Sequence, residues 1–129
     1  MRLLLDTHVV LGLVDAEFEE PPQRLVATAA DRANELFVSV VSIWEVAIKH
    51  RLGKLPLPCP LPEWPDLLRA ARMKILSLGL APVLVDLQPL PDTRDPFDRL
   101  LLAVAQSHGM RLLTIDRALL AHPLAWRPA

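Results

Sequence analysis

Four acidic residues lie next to apolar segments of the chain. Asp6 and Asp116 end the strand-like runs RLLLD and MRLLTID, Glu45 follows the strand-like run LFVSV, and Asp98 shortly precedes the run LLLAVAQ. In a parallel sheet the carboxyl ends of the strands share one edge, where the ligands of α/β proteins gather. If the sheet is parallel, the four carboxylates can therefore converge at that edge.

Converging carboxylates point to a divalent metal ion. Negative side chains packed together repel one another unless a cation neutralises them. Oxygen-only ligand sets suit Mg²⁺ or Mn²⁺, and such an ion lowers the pKa of a bound water and neutralises charge on a phosphate. Two ions about 4 Å apart can stabilise both the attacking and the leaving oxygen. This chemistry needs no serine, cysteine or histidine nucleophile.

Each acid on its own also has a structural explanation. Asp95 suits the N-cap of a helix, and Asp98 then lies in the first turn, where a negative charge is favourable. Ser42 and Glu45 have capping-box spacing, and Glu45 with Lys49 forms an i,i+4 pair. The two acids that end strands can each cap a following helix. At this level the metal site and the capping roles both remain open.

The elements that position these acids follow from hydrophobic patterning. Four strands are predicted, over residues 2–6, 36–40, 74–78 and 110–116. Helices are predicted over residues 7–15, 23–35, 42–54, 64–73, 81–87 and 97–109, and the tail adds a helical turn and a short final strand. The order β-α-α-β-α-α-β-α-α-β-α is typical of a parallel sheet covered by helices on both faces. We expect one three-layer α/β domain over residues 1–129, with four or five strands.

Composition limits the classes of protein that fit. The chain has 129 residues, 52% of them hydrophobic, and a formal net charge of -1, so it is not a strongly basic nucleic-acid binder. One cysteine, Cys59, excludes an intrachain disulfide. The longest apolar run, Ile75–Val85, contains Gly79 and Pro82 and is well short of the roughly 20 residues that cross a membrane. These features predict a cytoplasmic protein without a membrane segment.

Four motifs resemble the PIN-domain ribonucleases, and among them the VapC-type toxins of bacterial toxin–antitoxin pairs. They are LLLDTHVVL, SVVSIWEVAIKHRLGKL, LPDTRDPFDRLLLAVAQ and LLTIDRAL, which occur in family order over nearly the whole chain. The resemblance implies a PIN-like fold and Mg²⁺- or Mn²⁺-dependent cleavage of RNA. It carries the acidic quartet of the family onto Asp6, Glu45, Asp98 and Asp116, as catalytic residues and metal ligands. It also implies a homodimer, and an antitoxin protein that links the chain to DNA only indirectly.

Other residues around the motifs have predicted roles. Thr7 and Thr114 fall where the family often has hydroxyls beside the acids, so they are expected to orient carboxylates or water; ordinary strand-end hydroxyls are the alternative. Lys49, Arg94 and Arg99 are candidates for holding RNA phosphates, with solvated positions or an internal ion pair of Arg99 as alternatives.

One departure from the family pattern stands out. Relatives commonly have histidine where this chain has Asp92 and Thr93. His8 is not expected to join the metal site, because a carboxylate site explains the motif without it.

Two other functions compete with the ribonuclease. A PIN-fold module that binds RNA or protein without cutting is the alternative, and the intact quartet counts against it. A phosphoryl-transfer enzyme with Asp6 as nucleophile would favour a second acid two residues later, where the chain has His8.

Overall fold

Four short apolar segments pair side by side as parallel strands. The computed structural model describes residues 1–15 and 22–128. The strands are β1 Arg2–Leu5, β2 Glu35–Ser39, β3 Met73–Leu76 and β4 Arg111–Leu113, and their order across the sheet is β3-β2-β1-β4. All three pairings are parallel, so the carboxyl ends of the strands lie along one edge. This confirms the predicted parallel sheet.

Helices connect the strands in the predicted order. They are α1 Thr7–Val14, α2 Gln23–Ala30, α3 Val40–Arg51, α4 Trp64–Ala70, α5 Leu80–Leu84, α6 Pro96–His108 and α7 Arg117–Leu120. In the proline-rich segment before α4, residues Leu61–Glu63 form a 3₁₀ turn. The predicted final strand is reduced to one parallel bridge between Leu112 and Ala125.

The central strand β1 separates two apolar layers. Its three leucines, Leu3, Leu4 and Leu5, have no exposed surface. Since successive side chains of a strand point to opposite faces, Leu3 and Leu5 pack on one side and Leu4 on the other. The first side includes residues of α1, α2 and α4, and the second is built largely from α6. Burial on both faces explains why β1 is a continuous apolar run.

Several helix boundaries differ from the predicted ones, and two of the differences have a clear local cause. Helix α3 begins at Val40 because Ser39, not Ser42, is the N-cap, with its hydroxyl accepting the N–H of Val41. The predicted capping box of Ser42 and Glu45 is therefore wrong. Helix α2 ends at Ala30, earlier than predicted, because Asp31 turns the chain by accepting the N–H of Ala33. The chain then enters β2.

The start and end of α6 agree with the sequence pattern. The Asp95 carboxylate accepts the N–H of Phe97 at 2.9 Å, and Pro96 occupies the first turn. Gly109 ends the helix with φ 64°, in the left-handed region that favours glycine. These caps fix where Asp98 lies on the helix. Among the described residues, no helix is long and apolar enough to cross a membrane.

Candidate acidic active site

Asp6 lies directly after β1, at the carboxyl edge of the sheet. Its peptide N–H donates to the carbonyl of Leu113, which continues the β1–β4 pairing up to the acid. One carboxylate oxygen accepts the N–H of Thr7 at 2.7 Å, and the other accepts the hydroxyl of Thr114 at 2.8 Å. Asp6 is only 2% exposed, and this burial raises the pKa of its carboxyl, against the opposing effect of the two hydrogen bonds.

Glu45 reaches the same edge from α3. Its Oε1 accepts the hydroxyl of Thr7 at 2.8 Å, and its Oε2 lies 2.8 Å from Lys49 Nζ. The Thr7 hydroxyl also lies 2.9 Å from Ser42 Oγ. Thr7 has a single hydroxyl hydrogen, so when it donates to Glu45 it accepts from Ser42. A buried chain of hydroxyls thus fixes Glu45, whose negative charge raises the pKa of Asp6 further.

Asp98 is half-buried in the first turn of α6. The hydroxyl of Thr93 donates to its Oδ2 at 3.2 Å. Its pKa is raised to about 6, first by burial and then by the charges of Asp95, Asp6 and Asp116. Asp6 and Asp116 therefore lie near enough to Asp98 to oppose its ionisation, although the three acids come from remote parts of the sequence.

Asp116 combines a capping role with a place beside the other acids. Its carboxylate accepts the N–H of Ala118 at the start of α7, at 2.9 Å. Its own N–H donates at 3.0 Å to the hydroxyl of Thr114, which in turn donates to Asp6. One threonine thus connects two of the four acids. Capping and clustering, which the sequence offered as alternatives, occur together at Asp116.

The four carboxylates form a loose acidic group. Within residues 1–15 and 22–128, no three histidine, cysteine, aspartate or glutamate side chains are arranged to enclose a metal ion. The chemistry of the side chains nevertheless fits Mg²⁺ or Mn²⁺, because all four present carboxylate oxygens, and repulsion acts between Asp6 and Glu45 and between Asp98 and both Asp6 and Asp116. Magnesium sites in proteins commonly use one or two carboxylates and several waters. A divalent ion here would offset the carboxylate repulsion that, after burial, adds to the raised pKa of Asp6 and Asp98.

The cations predicted to contact RNA have different surroundings. Lys49 forms the predicted pair with Glu45, and its side chain is 41% exposed. Arg99 donates through Nε to the carbonyl of Thr93 at 2.8 Å, and no ion pair joins it to an acid among the described residues. Arg94 and His8 are exposed. Lys49 and Arg99 therefore belong to the hydrogen-bond network that holds the acids.

Two residues of this network were not assigned there from the sequence. Ser42 matched a capping pattern, but it is fully buried and lies against Thr7. Thr93 was noted only as a departure from relatives, yet its hydroxyl contacts Asp98. The spacing of Ser42 and Glu45 is the same whether Ser42 caps the helix or takes part in a buried hydrogen bond, so the sequence does not distinguish the two roles. The packing of α1 against α3 decides between the two.

An apolar surface lies beside the acids, on the outer side of α3 and α6. Trp44 is 59% exposed, so it is not a core residue, and its ring centroid lies 5.7 Å from that of Phe97. A shallow pocket of about 250 Å³ lies between these helices and is lined by Val41, Trp44, Pro96, Phe97 and Leu100. Exposed apolar surface of this kind is typical of contact with another macromolecule.

Both the sequence and the fold of this chain match known proteins. The family described as PIN domain matches residues 3–123. Ribonuclease VapC22 of Mycobacterium tuberculosis is 33% identical over 126 residues, which cover 93% of this chain and 91% of that protein. Ribonuclease VapC16 of the same organism is 41% identical over 56 residues, covering 43% and 40% of the two chains.

A solved structure shares the fold. It is a chain in the crystal structure of VapBC2 from Rickettsia felis bound to a DNA fragment from their promoter. The TM-score is 0.62, with 14% sequence identity over 97% of this chain and 96% of that chain. At this identity the likeness establishes a common architecture.

Proposed function

Because the chain belongs to the PIN domain family, we propose that it is a metal-dependent endoribonuclease and the toxin of a bacterial toxin–antitoxin pair. The supporting observation is the electrostatic coupling of its acids. Burial is the largest cause of the raised pKa of Asp98 and of Asp6, and the charges of Asp6 and Asp116 add to it at Asp98, as the charge of Glu45 does at Asp6. The named relatives, ribonucleases VapC22 and VapC16, support the choice of RNA as substrate.

The residues of the acidic group have distinct parts in this proposal. Asp6, Glu45, Asp98 and Asp116 would hold Mg²⁺ or Mn²⁺, which when bound supplies a water of lowered pKa and neutralises charge on the scissile phosphate. Thr114 and Thr7 hold the carboxylates of Asp6 and Glu45 in place through their hydroxyls. Such outer contacts keep metal ligands oriented.

Basic side chains at the border of the acidic group would hold the RNA. Lys49 and Arg99 are fixed by Glu45 and by the carbonyl of Thr93, and Arg94 is exposed beside them. Cationic side chains that contact phosphates position a nucleic acid without reading its sequence. These three residues would therefore orient the phosphodiester over the acids.

Protein partners form the second part of the proposal. The structural neighbour is part of a VapBC2 assembly on promoter DNA, so we infer a cognate antitoxin for this chain and contact with DNA only through it. The exposed apolar surface around Trp44 and Phe97 is suited to a homodimer. Equilibrium sedimentation of the purified chain tests the dimer, and a monomer at every concentration contradicts it.

The function is tested on purified chain freed of any antitoxin. RNA should be cleaved with Mn²⁺ and remain intact with EDTA. Asp6→Asn and Asp98→Asn should abolish cleavage while keeping the wild-type circular dichroism spectrum, because each removes a negative ligand. Asp66→Asn serves as a matched control, since Asp66 is exposed on α4 and pairs only with Arg69 among the described residues. Equal cleavage by wild type and both site variants would reject the mechanism.

The same assay separates the competing functions. A folded wild type that binds RNA but cleaves none with Mn²⁺ supports a PIN-fold binding module. A stable phospho-enzyme, lost in Asp6→Asn, supports phosphoryl transfer through Asp6. Both outcomes contradict the endoribonuclease.

A further inference from the structure

Thr93 lies at the centre of a small hydrogen-bond network at the start of α6. Its hydroxyl donates to Asp98 Oδ2 at 3.2 Å and accepts the peptide N–H of Asp95, also at 3.2 Å. Its carbonyl oxygen accepts the Nε–H of Arg99 at 2.8 Å. A single residue of the loop before α6 thus contacts the cap, the acid and the arginine of the first turn.

These contacts fix the direction of the Thr93 hydroxyl. A threonine hydroxyl has one hydrogen and two lone pairs. The N–H of Asp95 uses a lone pair, which leaves the hydrogen for Asp98. The bond from Arg99 holds the backbone of Thr93 against the helix. The hydroxyl is therefore held from both sides in the position from which it reaches Asp98.

Asp98 has less support from the protein than its neighbours Asp6 and Glu45. Both carboxylate oxygens of Asp6 and of Glu45 accept a hydrogen bond. In the described part of the chain, Thr93 is the only donor to the Asp98 carboxylate, and it contacts Oδ2. Oδ1 of Asp98 accepts no bond from these residues. The orientation of this carboxylate therefore depends on one hydroxyl.

We propose that Thr93 is a positioning residue, which holds the Asp98 carboxylate by Oδ2 and so leaves Oδ1 available to a divalent ion. This inference rests on the proposed metal-dependent function. It gives Thr93, where the chain departs from the family pattern, a definite part in the site. Arg99 contributes by securing the Thr93 backbone, in addition to any contact with RNA.

Substitution of Thr93 tests the inference. Thr93→Val keeps the shape and removes the hydroxyl, whereas Thr93→Ser keeps the hydroxyl. Thr93→Val should weaken Mn²⁺ binding, measured on RNA-free protein by electron paramagnetic resonance of free Mn²⁺, by about 10-fold. We expect the low end of the range for such contacts, since 3.2 Å is long for an O–H···O bond. Thr93→Ser should restore the affinity.

In Thr93→Val the Mn²⁺ concentration for half-maximal RNA cleavage should rise by a similar factor as the Mn²⁺ affinity falls. The cleavage rate at saturating Mn²⁺ should be less affected. Thr28→Val is the matched control, because within residues 1–15 and 22–128 the Thr28 hydroxyl bonds only the carbonyl of Arg24, in α2. It should leave Mn²⁺ affinity unchanged. Thr93→Ala provides a second variant without the hydroxyl and should reproduce the loss, even if the valine variant folds poorly.

The outcomes distinguish this inference from the function on which it rests. If the wild type binds Mn²⁺ and cleaves RNA, and Thr93→Val and Thr93→Ala match its affinity, the role of Thr93 is overturned and the function stands. If the wild type neither binds Mn²⁺ nor cleaves RNA, both are overturned. A loss with valine and alanine that serine restores supports the inference.

Discussion

At the scale of single residues, the four acids differ in how the protein holds them. Asp6 is buried between two donors, and Glu45 is held by a threonine and a lysine. Asp98 is half-buried and faces the charges of three other aspartates. The ionisation of Asp98 therefore reports on both its burial and the neighbouring negative charges.

The raised pKa of Asp98 predicts a specific dependence of stability on pH. The folded protein binds this proton more tightly than the unfolded chain, because the pKa rises from 3.8 to about 6 on folding. The free energy of unfolding therefore falls as pH rises from about 4 to about 6, and the loss persists at pH 7. Asp6 contributes in the same direction, because its pKa is also raised.

Asp98→Asn should remove the contribution of Asp98 to the decrease in the free energy of unfolding with rising pH. In buffer free of divalent ions at pH 7, the variant should be more stable than wild type. The gain should be on the order of 1 kcal/mol, since solvent screens a half-buried charge. Urea denaturation at pH 4 and pH 7 measures it, with Asp66→Asn as a control expected to follow wild type. Identical pH profiles for wild type and Asp98→Asn would contradict the raised pKa of Asp98.

At the scale of elements, helix boundaries are predictable from the local sequence where the capping residue is unambiguous. Asp95, Pro96 and Gly109 mark the two ends of α6, and the structure has them there. The start of α3 was not predictable in the same way, since Ser39 and Ser42 both suit an N-cap. The buried contact of Ser42 with Thr7 decides between them, and it joins residues 35 positions apart. Local patterning contains no information on such a contact.

Asp95 provides the prediction at this scale. Its carboxylate caps α6, so Asp95→Ala should lower the free energy of unfolding by about 1 kcal/mol. Asp95→Asn keeps an oxygen that accepts the N–H of Phe97 and should retain most of the stability. Urea denaturation of the three proteins at one pH measures both effects. If alanine and asparagine prove equally destabilising, the role of Asp95 is not capping but depends on its charge.

At the scale of the whole molecule, the topology brings the acids together. The order β3-β2-β1-β4 places the ends of β1 and β4 side by side, and Asp6 and Asp116 follow these neighbouring strands. Alternating apolar segments predicted this parallel arrangement, and with it the shared edge. The sequence did not show the hydroxyls of Ser42 and Thr93 as parts of the site, because their contacts depend on how α1, α3 and α6 pack.

The proposed function requires these carboxylates to bind a divalent ion at the carboxyl edge of the sheet. The most direct measurement is anomalous X-ray scattering from crystals of the wild type soaked with Mn²⁺. We predict an anomalous peak within ligand distance of the Asp6 and Asp98 carboxylates, about 2.0–2.6 Å from their oxygens, and its disappearance in Asp98→Asn. A peak elsewhere on the molecule, or no peak at saturating Mn²⁺, would contradict the account.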